Sequence, residues 1–129
     1  MKILLDTHIL IWLIGASDRL PSTARETIED VDNELFFSAA SVWELSIKQS
    51  TGRARLELPP ELLHRQLLDS GFHEVPVTAT HGLAVCGLEP IHKDPFDRIL
   101  IAQALSEGML LLTSDETIAR YNGPIRLAR

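Results

Sequence analysis

At 129 residues and 14.4 kDa the chain suits one domain spanning residues 1–129, and 45% apolar residues supply a core that needs no disulfide or structural metal. An ordinary charged fraction of 23% excludes a disordered chain, no apolar run nears the roughly 20 residues of a membrane span, and the lone Cys86 excludes an internal disulfide or a cysteine zinc cluster. Twelve Lys and Arg against eighteen Asp and Glu give a net charge of −6, which argues against a general basic surface for nucleic acid.

Lys2-Ile3-Leu4-Leu5 meets Asp6 and reads as a buried parallel strand. Thr7 is placed to cap a helix from His8 to Ile14 that ends at Gly15. Ser17-Asp18-Arg19 after that apolar run is a poor signal-peptide cleavage site, so the cytoplasm is the expected compartment. Pro21-Ser22-Thr23 opens a second helix to about Asp30, with Ala24, Ile28 and Val31 at helical spacing. A strand from Glu34 to Phe37 leads to Ser38, which caps a helix running to near Gly52. Leu56 to Pro60 forms an extended turn into a helix from Glu61 to Asp69, stopped by Gly71. Phe72 to Val77 is strand-like, Ala79 to Val85 a short helix, and Glu89 to Lys93 a polar loop. Asp94-Pro95 starts a strong helix through Ser106, closed by Gly108. Met109 to Leu112 is a strand, Thr113-Ser114-Asp115 leads to a short helix, and Ile125 to Leu127 is a last strand. Strands alternating with helices imply an α/β domain with a mostly parallel sheet.

Ligands of such sheets bind outside the carboxyl ends of the strands. Asp6 and Asp115 fall there, while Glu44 and Asp97 lie in helices that follow strand ends or begin beside them. Each has a plainer use. Asp115 and Ser114 suit a helix cap, and Asp94 suits an N-cap ahead of Pro95. Asp97 suits the helix dipole, yet the apolar stripe Ile99, Leu100, Ala102 and Ala104 follows it at once. Glu44, between Trp43 and Leu45, is costly to desolvate alone, so it is either on a solvated helix face or part of a site. Grouped carboxylates repel one another, and a hard cation such as Mg²⁺ or Mn²⁺ neutralises them. Such a site bridges phosphate oxygens and makes a nucleophile of water for phosphodiester hydrolysis.

At this point the chain resembles the PIN-domain family and, within it, the VapC-type toxins of bacterial toxin–antitoxin pairs. The resemblance rests on Leu4-Leu5-Asp6-Thr7-His8 and on Ser41-Val42-Trp43-Glu44-Leu45 with Lys48 and Gly52. It continues in His92-Lys93-Asp94-Pro95-Phe96-Asp97-Arg98 running into Leu100-Ile101-Ala102-Gln103-Ala104, and ends in Leu112-Thr113-Ser114-Asp115. These stand in order and cover nearly the whole chain. The resemblance implies a three-layer α/β/α fold with a central, mostly parallel sheet. It implies a metal-dependent endoribonuclease whose catalytic, metal-holding acids are Asp6, Glu44, Asp97 and Asp115, with Mg²⁺ or Mn²⁺ as cofactor. Ser114 stands where the family has a small hydroxyl residue beside metal-held water. Thr7 and Asp94 are supporting candidates, although capping explains both. The partners implied are an RNA substrate, a cognate antitoxin and a second copy of the chain.

Lys48 shares a helix face with Glu44, and Lys93 and Arg98 flank the third acid. These three are candidates for phosphate contacts, with ion pairs to the acids as the alternative for Lys48 and Arg98. Arg53 and Arg55 read as solvated charges. His8, His64, His73, His81 and His92 are scattered without zinc-ligand spacing and are not assigned to the site. A phosphotransferase with an Asp nucleophile would need a second Asp where His8 stands, and Asp6-Thr7 is not the acidic pair of a receiver domain. A catalytically inactive PIN-like module that binds RNA or protein is the remaining alternative. The helix from His8 to Ile14 is apolar nearly all round. It is either fully buried or leaves a groove, shared with the Glu61 to Leu68 helix, that an antitoxin segment occupies. Setting aside the four assigned acids leaves fourteen against twelve basic residues, so the acidic excess marks the site and RNA binding needs no basic surface.

Overall fold

The computed structural model describes residues 1–53 and 56–129; Arg55 lies outside the described residues. Five strands form one wholly parallel sheet in the order β3-β2-β1-β4-β5. They are β1 (Lys2–Leu5), β2 (Glu34–Ser38), β3 (His73–Val75), β4 (Leu110–Thr113) and β5 (Ile125–Leu127). The helices are α1 (Thr7–Gly15), α2 (Ser22–Glu29), α3 (Ala39–Ser50), α4 (Pro60–Asp69), α5 (Ala79–Ala84) and α6 (Pro95–Glu107).

Alternation along β1 and β4 builds the layers. Ile3, Leu5 and Leu112 pack with Ile9 and Leu10 of α1, Ala24 of α2 and Leu63 and Leu67 of α4. Leu4 and Leu111 face the other way, against Leu100, Ile101 and Ala104 of α6. The result is a three-layer α/β/α arrangement. The central strands are apolar on both faces because both are covered. Ser38 caps α3 by accepting from Ala40 N at 3.0 Å, and Gly108 ends α6 at φ 67°, a left-handed position that favours glycine. Among the described residues, no helix is long and apolar enough to cross a membrane.

Two local expectations fail. Thr7 is not the cap of α1: Asp6 occupies that position, and the Thr7 hydroxyl instead bonds Ser41 Oγ at 2.8 Å in the interior. Val31 is 95% exposed beyond the end of α2, whose inner face is made by Ala24, Thr27 and Ile28. The strand order reverses between β1 and β4, since β2 and β3 extend one way and β4 and β5 the other. At such a switch point a parallel sheet carries its binding crevice, here outside the carboxyl ends of β1 and β4.

Candidate metal centre

Asp6 and Asp115 stand at this crevice because each follows a buried parallel strand. The β1–β4 ladder extends to Asp6, whose N–H donates to Leu112 O at 3.0 Å. The Asp6 backbone also starts α1, its carbonyl accepting from Leu10 N. Its carboxylate makes no cap and is buried, with Oδ2 accepting from Thr113 Oγ1 at 2.7 Å. Burial pushes the Asp6 carboxyl above its ordinary value, against the opposing Thr113 bond and the nearby His8. The same Thr113 oxygen accepts from Asp115 N at 3.0 Å, so one hydroxyl ties both acids together.

Asp115 divides its oxygens between two tasks. Oδ1 accepts from Thr117 N at 2.7 Å and Ile118 N at 3.4 Å, capping the turn after β4, and Oδ2 accepts from His92 Nε2 at 3.4 Å. Desolvation works against its charge, but the Thr117 amide, His92 and the Ile118 amide prevail and hold its carboxyl below the usual value. Asp97 is in the first turn of α6, with Oδ2 2.9 Å from His92 Nε2. Burial and the charges of Asp6, Asp94 and Glu44 push the Asp97 carboxyl up to about 7, with His92 pulling the other way. Asp94 caps α6, Oδ1 accepting from Phe96 N at 2.9 Å.

Glu44 is 4% exposed, which removes the solvated-face alternative. Its helix enters the crevice because β2, paired beside β1, ends at Ser38 and turns directly into α3. Glu44 Oε2 pairs with Lys48 Nζ at 2.8 Å, a bond that raises the lysine's affinity for its proton. Glu44 Oε1 is buried with no hydrogen-bond partner among the described residues.

The charges of Asp6, Asp94 and Glu44 thus all act on Asp97, and that of Asp115 acts on Asp6. Ser114 is half-buried between Thr113 and Asp115, and Lys93 is exposed at the rim. Arg98 does not face the crevice as a free cation. Its Nη1 donates to Glu89 O at 2.9 Å and Tyr121 Oη at 3.1 Å, and its Nη2 to Val85 O at 3.2 Å. Arg53 is exposed. Sequence reasoning left out His92, Thr113 and Ser41. His92 stood next to an acidic motif, which was its one signal.

Trp43 and Phe96, each preceding an acid in sequence, meet edge to face with ring centres 5.1 Å apart. They line an apolar hollow of about 480 Å³ with Val77, Val85, Ile99 and Lys93. A second groove of about 330 Å³ lies between Ile11, Trp12 and Ile14 of α1 and Leu56, Leu58 and Leu63.

The PIN domain model matches residues 3–124. The chain is 30% identical over 123 residues to Ribonuclease VapC22 of Mycobacterium tuberculosis, covering 95% of this chain and 93% of that one. Among solved structures, it is similar to the VapBC2 complex of Rickettsia felis bound to a DNA fragment from their promoter. There the TM-score is 0.76 at 15% identity, over 100% of both chains. VapBC-1 from nontypeable Haemophilus influenzae gives a TM-score of 0.66 at 20% identity, over 98% of both chains.

Proposed function

The chain belongs to the PIN-domain family, and on that premise we propose that it is a metal-dependent endoribonuclease, the toxin of a VapBC-type pair. Residues 1–129 act as one such domain in the cytoplasm. The observation that carries the reading is Glu44 Oε1. A buried, unpartnered carboxylate oxygen costs about 1–3 kcal/mol or more, which is sustained where a ligand completes it. Four carboxylates around one crevice, with Lys48 the one ammonium bonded to them among the described residues, fit a divalent cation. Their hard oxygen donors suit Mg²⁺ or Mn²⁺. Asp6, Glu44, Asp97 and Asp115 would hold it. A bound divalent cation supplies charge neutralisation for the phosphodiester and acidifies water.

The chain's own residues do the rest. Thr113 fixes Asp6 and Asp115 in one register across the switch point. The Thr7–Ser41 bond locks the start of α1 to α3, the helix that carries Glu44. Lys48, 39% exposed at its side chain, meets an approaching phosphate beside Glu44, and Lys93 guides the strand at the rim. Ser114 stands beside Asp115 to bond water. Arg98 holds the loop that precedes α6.

The partners follow from two apolar surfaces. The α1–α4 groove is half-buried rather than filled, with Ile11, Trp12 and Ile14 partly open, and suits an apolar antitoxin segment. Trp43 and Val77, which line the hollow beside Phe96, are 63% and 47% exposed, and Leu83, next to the lining residue Gly82 on α5, is 73% exposed. A second copy of the chain covers them, setting two crevices side by side.

The test is RNA cleavage by the purified protein with Mg²⁺ or Mn²⁺, with and without chelator. Asp6→Asn and Glu44→Gln should each lower cleavage at least 100-fold. Cleavage that survives either variant or the chelator unchanged rejects the metal centre. RNA binding without cleavage under every condition selects the inactive module instead.

A further inference from the structure

The donor atoms of His92, Asp97 and Asp115 lie within 4.8 Å of one another, and taken alone they resemble a cation site with an imidazole ligand. The hydrogen bonds around the ring argue otherwise. His92 Nδ1 accepts from Asp94 N at 3.1 Å, so its lone pair is on Nδ1 and the ring proton on Nε2. A protonated nitrogen has no lone pair to offer a metal. Ligation through Nε2 would move the proton to Nδ1, where it would confront the Asp94 N–H. That amide belongs to the residue that caps α6, so the shift would disturb the helix start that carries Asp97.

The ring is also held from behind. His92 N donates to Tyr121 Oη at 2.7 Å, and Tyr121 is buried in the layer under α6. Arg98 Nη1 donates to that same phenol oxygen at 3.1 Å and to His92 O at 3.4 Å. We infer that His92 is a positioning residue of the acidic centre and not one of its ligands. Its Nε2–H stands between two carboxylates from distant segments, bonded to Asp115 Oδ2 and touching Asp97 Oδ2, and keeps these like charges together before a cation arrives. Arg98 and Tyr121 act through it by fixing where the ring sits. This inference rests on the metal-centre reading.

Two measurements test it, neither of them cleavage. The first follows the His92 ring nitrogens by ¹⁵N NMR of the whole chain as Mg²⁺ is added. The proton should stay on Nε2; its loss on metal addition would make His92 a ligand and overturn the inference. The second is Mn²⁺ affinity, read from the free-ion EPR signal. His92→Ala should weaken Mn²⁺ binding 10- to 100-fold, the range seen when a partner of a ligand is removed. His92→Gln, which keeps one N–H donor, should recover part of that loss. Wild-type affinity in His92→Ala overturns the inference while leaving the metal reading intact. Wild-type protein that binds Mn²⁺ no better than Asp6→Asn overturns both.

Discussion

Replacing Asp97 by Asn should stabilise the metal-free protein at pH 8 and leave it nearly unchanged at pH 4. Asp97 has 15% of its side chain exposed, and its carboxyl is raised from 3.8 to about 7 by burial and by Asp6, Asp94 and Glu44. A carboxyl raised on folding keeps its proton in the folded state after the unfolded chain has lost it. Stability therefore falls as pH rises through the window from about 4 to about 7, and stays low above it. At about 1.4 kcal/mol per pKa unit the full shift sets a ceiling near 4 kcal/mol. Because the repulsion is shared among neighbouring acids, roughly 2 kcal/mol is the expected gain from removing one charge. For a chain of this size that is a rise of roughly 6–10 °C in Tm at pH 8, and under about 2 °C at pH 4. Asn keeps the shape and an oxygen beside His92, so packing changes little. Thermal melts with chelator, at both pH values, measure it. Adding Mg²⁺ should stabilise the wild type at pH 8 and close the gap. If the variant melts no higher than the wild type at pH 8 with chelator, the carboxylates do not strain one another as described.

Thr113→Val removes the donor to Asp6 and the acceptor for the Asp115 amide. It should cost about 1–3 kcal/mol in chemical denaturation and lower cleavage with it; an unchanged midpoint would mean water replaces the hydroxyl without loss. Leu83→Glu, far out on the exposed apolar face, should convert a dimer to monomer in light scattering while the monomer's melting curve holds within about 0.5 kcal/mol. A monomeric wild type removes the second-copy reading.

The placement of much of the candidate centre was legible because two local rules agree. An apolar run that ends in Asp, as at Ile3-Leu4-Leu5-Asp6, is both a buried parallel strand and a carboxylate at its binding end. Asp115, two residues past Leu110-Leu111-Leu112, follows the same logic. Glu44 was recognisable because a charge flanked by Trp43 and Leu45 has to be explained. What escaped depends on partners distant in sequence. Thr113 bonds Asp6 across 107 positions, a contact fixed by the pairing of β1 with β4 and by nothing near either residue. The Thr7 hydroxyl had a local use as a cap and a tertiary use with Ser41, and the tertiary one prevailed. Arg98, beside Asp97 in sequence, was a candidate for phosphate contacts, but its guanidinium is taken up by the carbonyls of Val85 and Glu89 and by Tyr121. Val31 kept helical spacing on paper after the helix had already ended at Glu29.

The bond from Thr113 to Asp6 also sets a clock. Asp6 is made more than a hundred residues before its partner hydroxyl and the fellow carboxylate at position 115. No partial chain lacking β4 can bring these groups together, whatever helices it has already formed. The long loop closure this demands is a late and comparatively slow event in folding. Whatever the four acids hold, their arrangement is therefore a property of the nearly complete domain: Asp6 stays without its Thr113 bond until the ribosome has read past β4.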